Sequence, residues 1–151
     1  CTLLSDDCVS IVPGNAGVRV VPSYCGLRLY EDAISGLALS NNVSGPVAHY
    51  SAKKRLQIDS PGAGGELWLQ QLYVLGESSG DDNITATPLV GAELLTELIK
   101  ASFLLDVRDS ELGSEQMQAL GKVANSLSAA HCLMYPRNFQ LLPSVAAFLL
   151  D

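Results

Sequence analysis

The stretch CVSIVPGNAGVRVVP, residues 8–22, decides the fold class. Its first five residues are mostly apolar and alternate in character, Pro13, Gly14 and Asn15 break the run, and VRVVP carries the chain back. Two short apolar runs around such a break predict a β-hairpin. An antiparallel hairpin this early favours a mixed sheet covered by helices over a purely parallel one. The sequence therefore reads as α/β, with an early hairpin, a mixed sheet and covering helices towards the C-terminus.

The rest of the chain alternates between strand and helix patterns. Over residues 29–39, Leu29, Ala33, Ile34 and Leu37 share a helical face, and Glu31 and Asp32 sit where the helix dipole favours acids. Residues 41–46, rich in Asn, Ser and Gly, predict a loop. HYSAKKRLQI, residues 49–58, predicts a strand with Lys53, Lys54 and Arg55 just before or within it, and SPGAGG, residues 60–65, a turn. ELWLQQLYVLGE, residues 66–77, is almost continuously apolar and predicts a central strand buried on both faces.

Helices are expected over residues 89–105 and 114–127. In the second, Ser110 or Ser114 is a candidate cap, and Met117, Leu120, Val123, Ala124 and Leu127 recur at helical spacing. HCLMYP, residues 131–136, predicts a last strand. Residues 139–150 predict a closing helix that starts near Leu142, because Pro143 is tolerated only at a helix start.

The 151 residues suit a single domain, and 48% hydrophobic with 17% charged residues is a globular composition. No apolar run approaches the roughly 18 residues that a membrane span requires. The formal charge of -7 argues against non-specific binding to nucleic acid or to anionic membranes, so any phosphate site must be local. Cysteines at 1, 8, 25 and 132 have neither zinc-site spacing nor the density of a disulfide scaffold, which predicts reduced, mostly buried thiols. The sequons Asn42-Val43-Ser44 and Asn83-Ile84-Thr85 match a pattern short enough to arise by chance. With no charged leader ahead of residue 1, the expectation is a cytoplasmic protein.

Three groups of residues can carry chemistry. Asp6 and Asp7 follow an apolar run; at a strand end, one acid can hold Mg²⁺ or its water while the other accepts a hydroxyl proton. Taken alone, the dipeptide fits a solvated turn, whose acid caps a backbone N–H, better than it fits such a site. Lys53, Lys54 and Arg55 can clamp a phosphate, or can form a charged edge-strand face that blunts aggregation. Arg28, set in the apolar GLRLY, needs an anionic partner, either a phosphate or a carboxylate in a structural salt bridge. His49 and His131 have no metal-ligand spacing and receive no role. SPGAGGE lacks the Lys-Ser or Lys-Thr ending of a nucleotide-binding loop.

Taken in order, LLSDDCVSI, VVPSYCGLRLYEDAI, KKRL, LWLQQLYVLGE, TPLVGAELLTELIKASF and MYPRNFQLLPSVAAFL resemble the later part of the HPr-kinase-like serine kinase family, over nearly the whole chain. The resemblance implies a nucleotide core of the phosphoenolpyruvate-carboxykinase-like P-loop type and transfer of phosphate from ATP with Mg²⁺ to a serine hydroxyl of a protein or peptide. It maps the family's acidic pair onto Asp7 and Asp6, one as base and the other, Asp6, near the metal. Arg28, Lys53, Lys54 and Arg55 become candidates for phosphate or acceptor contacts. Family members assemble into oligomers, so self-association is a further expectation.

One departure is large: the family's glycine-rich loop ending in Gly-Lys-Ser or Gly-Lys-Thr occurs nowhere in these 151 residues. That loop supplies most contacts to the β and γ phosphates. The expectation is a fragment whose nucleotide-binding half lies upstream or on a partner chain. The alternatives are a non-catalytic interaction module that keeps the scaffold, and a hydrolase with Cys1 as N-terminal nucleophile.

Overall fold

A computed structural model describes residues 3–23, 26–57, 65–77, 83–103, 106 and 108–150. Cys1, Cys25 and most of the expected 60–65 turn lie outside the described residues. The chain is mixed α/β, and it divides into two compact units. Unit 1 comprises Cys1–Ser10, Val21–Gly65 and Arg137–Asp151, and unit 2 comprises Ile11–Val20 and Glu66–Pro136. Among the described residues three three-stranded sheets replace the one mixed sheet expected.

The predicted hairpin forms from β1 (Val9–Gly14) and β2 (Gly17–Pro22), turning at Asn15 and Ala16. Gly17 leaves the turn at φ 132°, a backbone conformation that only glycine adopts without strain. β6 (Leu67–Trp68) joins β2 antiparallel, with Arg19 opposite Trp68.

In unit 1, β3 (Leu27–Leu29), β5 (Lys54–Leu56) and β4 (Val43–Pro46) form a sheet in the order β3-β5-β4, with β5 antiparallel to both neighbours. The three cations thus flank or occupy a central strand, not the edge strand weighed from sequence. The loop expected at 41–46 is a 3₁₀ turn at Ser40–Asn42 followed by β4. Its Gly45 and Pro46 are accommodated by a register shift between Val43 and Gly45. α1 (Glu31–Gly36) has Glu31 and Asp32 in its first turn as expected and buries Ile34 completely. α4 (Leu142–Leu150) follows a 3₁₀ turn at Phe139–Leu141, starts where Pro143 allows, and buries Val145.

In unit 2, β7 (Leu72–Leu75) runs parallel to β9 (Ala130–Met134), and β8 (Thr85–Pro88) runs antiparallel to it. This sheet is mixed, as the sequence predicts, but its centre is β9. Residues 66–77 do not form one central strand: they split into β6, paired with β2, and β7, an edge of this sheet. α2 (Gly91–Ala101) and α3 (Ser110–Ser126) supply Leu94, Leu98, Leu120 and Val123 to a core closed by Val18 and Ala130. The cap of α3 is Asp109, whose carboxylate accepts the Leu112 N–H at 2.9 Å, and not Ser110 or Ser114.

Candidate functional site

All six residues singled out from sequence belong to unit 1. Asp6 and Asp7 occupy an exposed bend just before β1. Hydroxyls fix that bend: Ser5 and Ser23 both donate to the Cys8 carbonyl, Ser23 at 2.6 Å, and their Oγ atoms stand 3.1 Å apart. The acids thus sit in an exposed bend before β1, the position that the solvated-turn reading describes.

Asp7 Oδ2 lies 3.1 Å from Arg28 Nη1, with the side chains 59% and 37% exposed. Both sequence readings of Arg28 asked for an anion, and Asp7 supplies one. Arg28 stands directly opposite Arg55 in the β3–β5 register, and Arg55 stands opposite Gly45 in β4. Directly opposed residues project to the same face, so two guanidiniums share one side of the sheet. Arg55 is exposed and donates from Nη2 to the Val47 carbonyl at 3.1 Å.

The two lysines are not gathered with the arginines. Lys54 pairs with Glu31 of α1 and stands opposite Leu29, on the other face of β5 from Arg55. Lys53 Nζ sits 5.3 Å from the centroid of the Tyr30 ring, within cation–π range. The sequence cluster thus divides: Arg28 pairs with Asp7 and stands opposite Arg55, which bonds Val47, while Lys53 and Lys54 engage Tyr30 and Glu31. The sequence gives Glu31 only a place in the first turn of a helix, and Tyr30, Ser5 and Ser23 no role. Only Ser5, beside the acids, carried a signal that could have drawn notice.

Among the described residues no three His, Cys, Asp or Glu side chains gather as a metal site. Mg²⁺ needs fewer protein ligands, because it commonly takes one or two carboxylates and completes its shell with waters and substrate phosphates. Asp6, exposed and without an ion pair among the described residues, fits that donor set.

Elsewhere, unit 2 holds a cavity of about 370 Å³ between the start of α2 and the end of α3, lined in part by Val90, Gly91, Leu94, Asn125, Ser128 and His131. None of the six residues lines it. His131 stacks on Tyr73 with ring centroids 5.6 Å apart, and its buried Nδ1 has no hydrogen-bond partner among the described residues. Of the cysteines within the described residues, Cys8 is exposed and Cys132 half-buried, both as free thiols, so the expectation of burial fails at Cys8. Among the described residues no helix is long and apolar enough to cross a membrane. Comparison with protein-family models, curated proteins and solved structures yields no match to this chain.

Proposed function

We propose that this chain is the later part of a cytoplasmic, ATP-dependent serine kinase of HPr-kinase-like type, built on a P-loop core and transferring phosphate to a serine hydroxyl of a protein or peptide. The observation that carries this reading is the ion pair of an exposed carboxylate, Asp7, with Arg28, whose cross-strand neighbour is a second arginine, Arg55, and whose acid has Asp6 next to it in sequence. Phosphoryl transfer asks for such parts: a group to accept the hydroxyl proton, cations to balance charge on the phosphoryl oxygens, and a carboxylate for the metal.

In this reading Asp7 accepts the serine proton, Arg28 and Arg55 neutralise phosphoryl charge, and Asp6 holds Mg²⁺. The ion, when bound, supplies further charge neutralisation to the nucleotide phosphates. Lys53 and Lys54, engaged with Tyr30 and Glu31, brace the β5 strand and the start of α1. The phosphate-cradling loop would come from residues outside these 151 or from a partner chain. Incorporation of labelled phosphate from ATP into a serine-containing peptide array, by the chain together with the segment that supplies that loop, tests the reading, with Asp7→Asn as the control for the base.

A second reading, a non-catalytic module on the same scaffold, is favoured by the ion pair itself, which already satisfies the Asp7 carboxylate with a protein cation. Phosphate incorporation that depends on Asp7 excludes it.

A further inference from the structure

β2 ends at Pro22, which has no N–H to give, so that residue cannot close the open end of the hairpin. Just beyond it, side chains take over. Ser23 Oγ donates to the Cys8 carbonyl at 2.6 Å, and Ser5 Oγ donates to the same oxygen. The Ser23 N–H adds a longer contact to Ser5 Oγ at 3.4 Å, and Cys8 Sγ lies 3.4 Å from Ser23 Oγ, which can accept its hydrogen. A carbonyl oxygen has two lone pairs and a serine hydroxyl one hydrogen. Both lone pairs of the Cys8 carbonyl are thus taken by hydroxyls that have no other hydrogen to give. The bond from Ser5 to Cys8 closes a loop over Asp6 and Asp7, and the bonds from Ser23 tie that loop to the end of β2. Every member of this network belongs to unit 1.

We infer that Ser5 and Ser23 are positioning residues, whose hydroxyls clamp the Cys8 carbonyl so that the bend presents the Asp7 carboxylate to the acceptor hydroxyl in one orientation. The inference deepens the kinase reading and rests on it for the reaction. An acid in an exposed bend otherwise samples many backbone conformations, and ordering it at the moment of reaction costs entropy. A bend closed in advance has already met that cost, and a base held in line with its proton keeps the advantage of orientation. The exposed ion pair to Arg28 is too weak to do this alone, because water screens it. Two hydroxyls on one carbonyl act on the backbone instead, and so order Asp6 and Asp7 together.

Backbone amide order parameters of the intact chain, from nitrogen relaxation, test the clamp without any need for catalysis. Asp6 and Asp7 are expected near about 0.85 in the wild type and in Ser23→Thr, which keeps the hydroxyl, and below about 0.6 in the double variant Ser5→Ala with Ser23→Ala. Circular dichroism and unchanged order parameters in α2 and α3 establish that the variant is folded; Ser23→Ala alone, with a fall expected at the same two residues, serves if the double variant is not. High order parameters at Asp6 and Asp7 in a folded alanine variant overturn the inference, and so do low ones in the wild type.

Kinetics separate positioning from a merely structural tie. In the chain joined to the segment that carries its phosphate-cradling loop, Ser23→Ala is expected to lower kcat about tenfold with KM for ATP within about twofold, because the base is misplaced and the nucleotide is not. Ser23→Thr is expected to restore kcat. A folded Ser23→Ala protein with wild-type kcat overturns the positioning role. No transfer by the wild type, with the order parameters as expected, sinks the kinase reading and with it the catalytic use of the clamp, while the clamp itself stands, so the two failures are told apart.

Discussion

The Asp7 carboxylate and the Arg28 guanidinium meet at 3.1 Å on an exposed surface, joining the bend before the first hairpin to the edge strand of the unit 1 sheet. Pairs this exposed contribute at most about 1 kcal/mol, because water screens the attraction and two flexible side chains must be held. The relationship matters for where it places charge, not for stability. It sets a carboxylate within reach of a cation whose cross-strand neighbour is a second cation.

The charge of that neighbour gives a salt-dependent prediction. Arg55→Ala should weaken inorganic phosphate binding more at an ionic strength of about 10 mM, where the screening length is about 30 Å, than at about 100 mM, where it is about 10 Å. Lys54→Ala should do little at either, because Lys54 is paired with Glu31 on the opposite face. Equal losses for both variants at every salt concentration would return the cluster to an ordinary charged surface.

The start of α3 offers a separate check on local structure. Asp109 accepts the Leu112 N–H, so Asp109→Ala should cost about 1 kcal/mol in urea denaturation. Ser110→Ala and Ser114→Ala, which lie inside the helix, should be close to neutral. A larger loss from Ser110→Ala would contradict the assignment of the cap.

In the unit 2 core, Leu94 is 3% exposed and packs with Leu98, Leu120 and Val123. Leu94→Ala should cost about 2–5 kcal/mol by leaving a cavity that its neighbours only partly fill. Trp68, in the same unit, gives a fluorescence signal for the unfolding curve.

Much of the architecture was legible where a period is strong. The hairpin follows from alternation around Pro13-Gly14-Asn15, α2 and α3 from repeats that bury Leu94, Leu98, Leu120 and Val123, and the start of α4 from Pro143. What escaped were short strands whose existence depends on a partner. Leu27–Leu29 is three residues long, Val43–Pro46 contains glycine and proline, and Thr85–Pro88 ends in proline. Such segments become strands because distant residues pair with them, against their own propensity. The run at residues 66–77 was misread for a related reason: apolar character does not say that Leu67–Trp68 and Leu72–Leu75 join different sheets.

At the site, the sequence named the acids and the cations but not their grouping. That Arg55 stands opposite Arg28, and that Lys54 pairs with Glu31 on the other face, follows from the alternation of faces on β5 and from the register with β3. Neither can be read from the run of three cations at 53–55.

The most direct test of the central claim is transfer of labelled phosphate from ATP with Mg²⁺ to serine-containing peptides by the chain joined to the segment that carries its phosphate-cradling loop, and by the same assembly with Asp7→Asn, with circular dichroism to confirm equal folding. The account predicts serine phosphorylation by the wild type and a loss of at least about a hundredfold in the variant, the usual contribution of a positioned proton acceptor. Equal transfer by a folded Asp7→Asn chain, or no transfer by the wild type to any serine peptide, would contradict it.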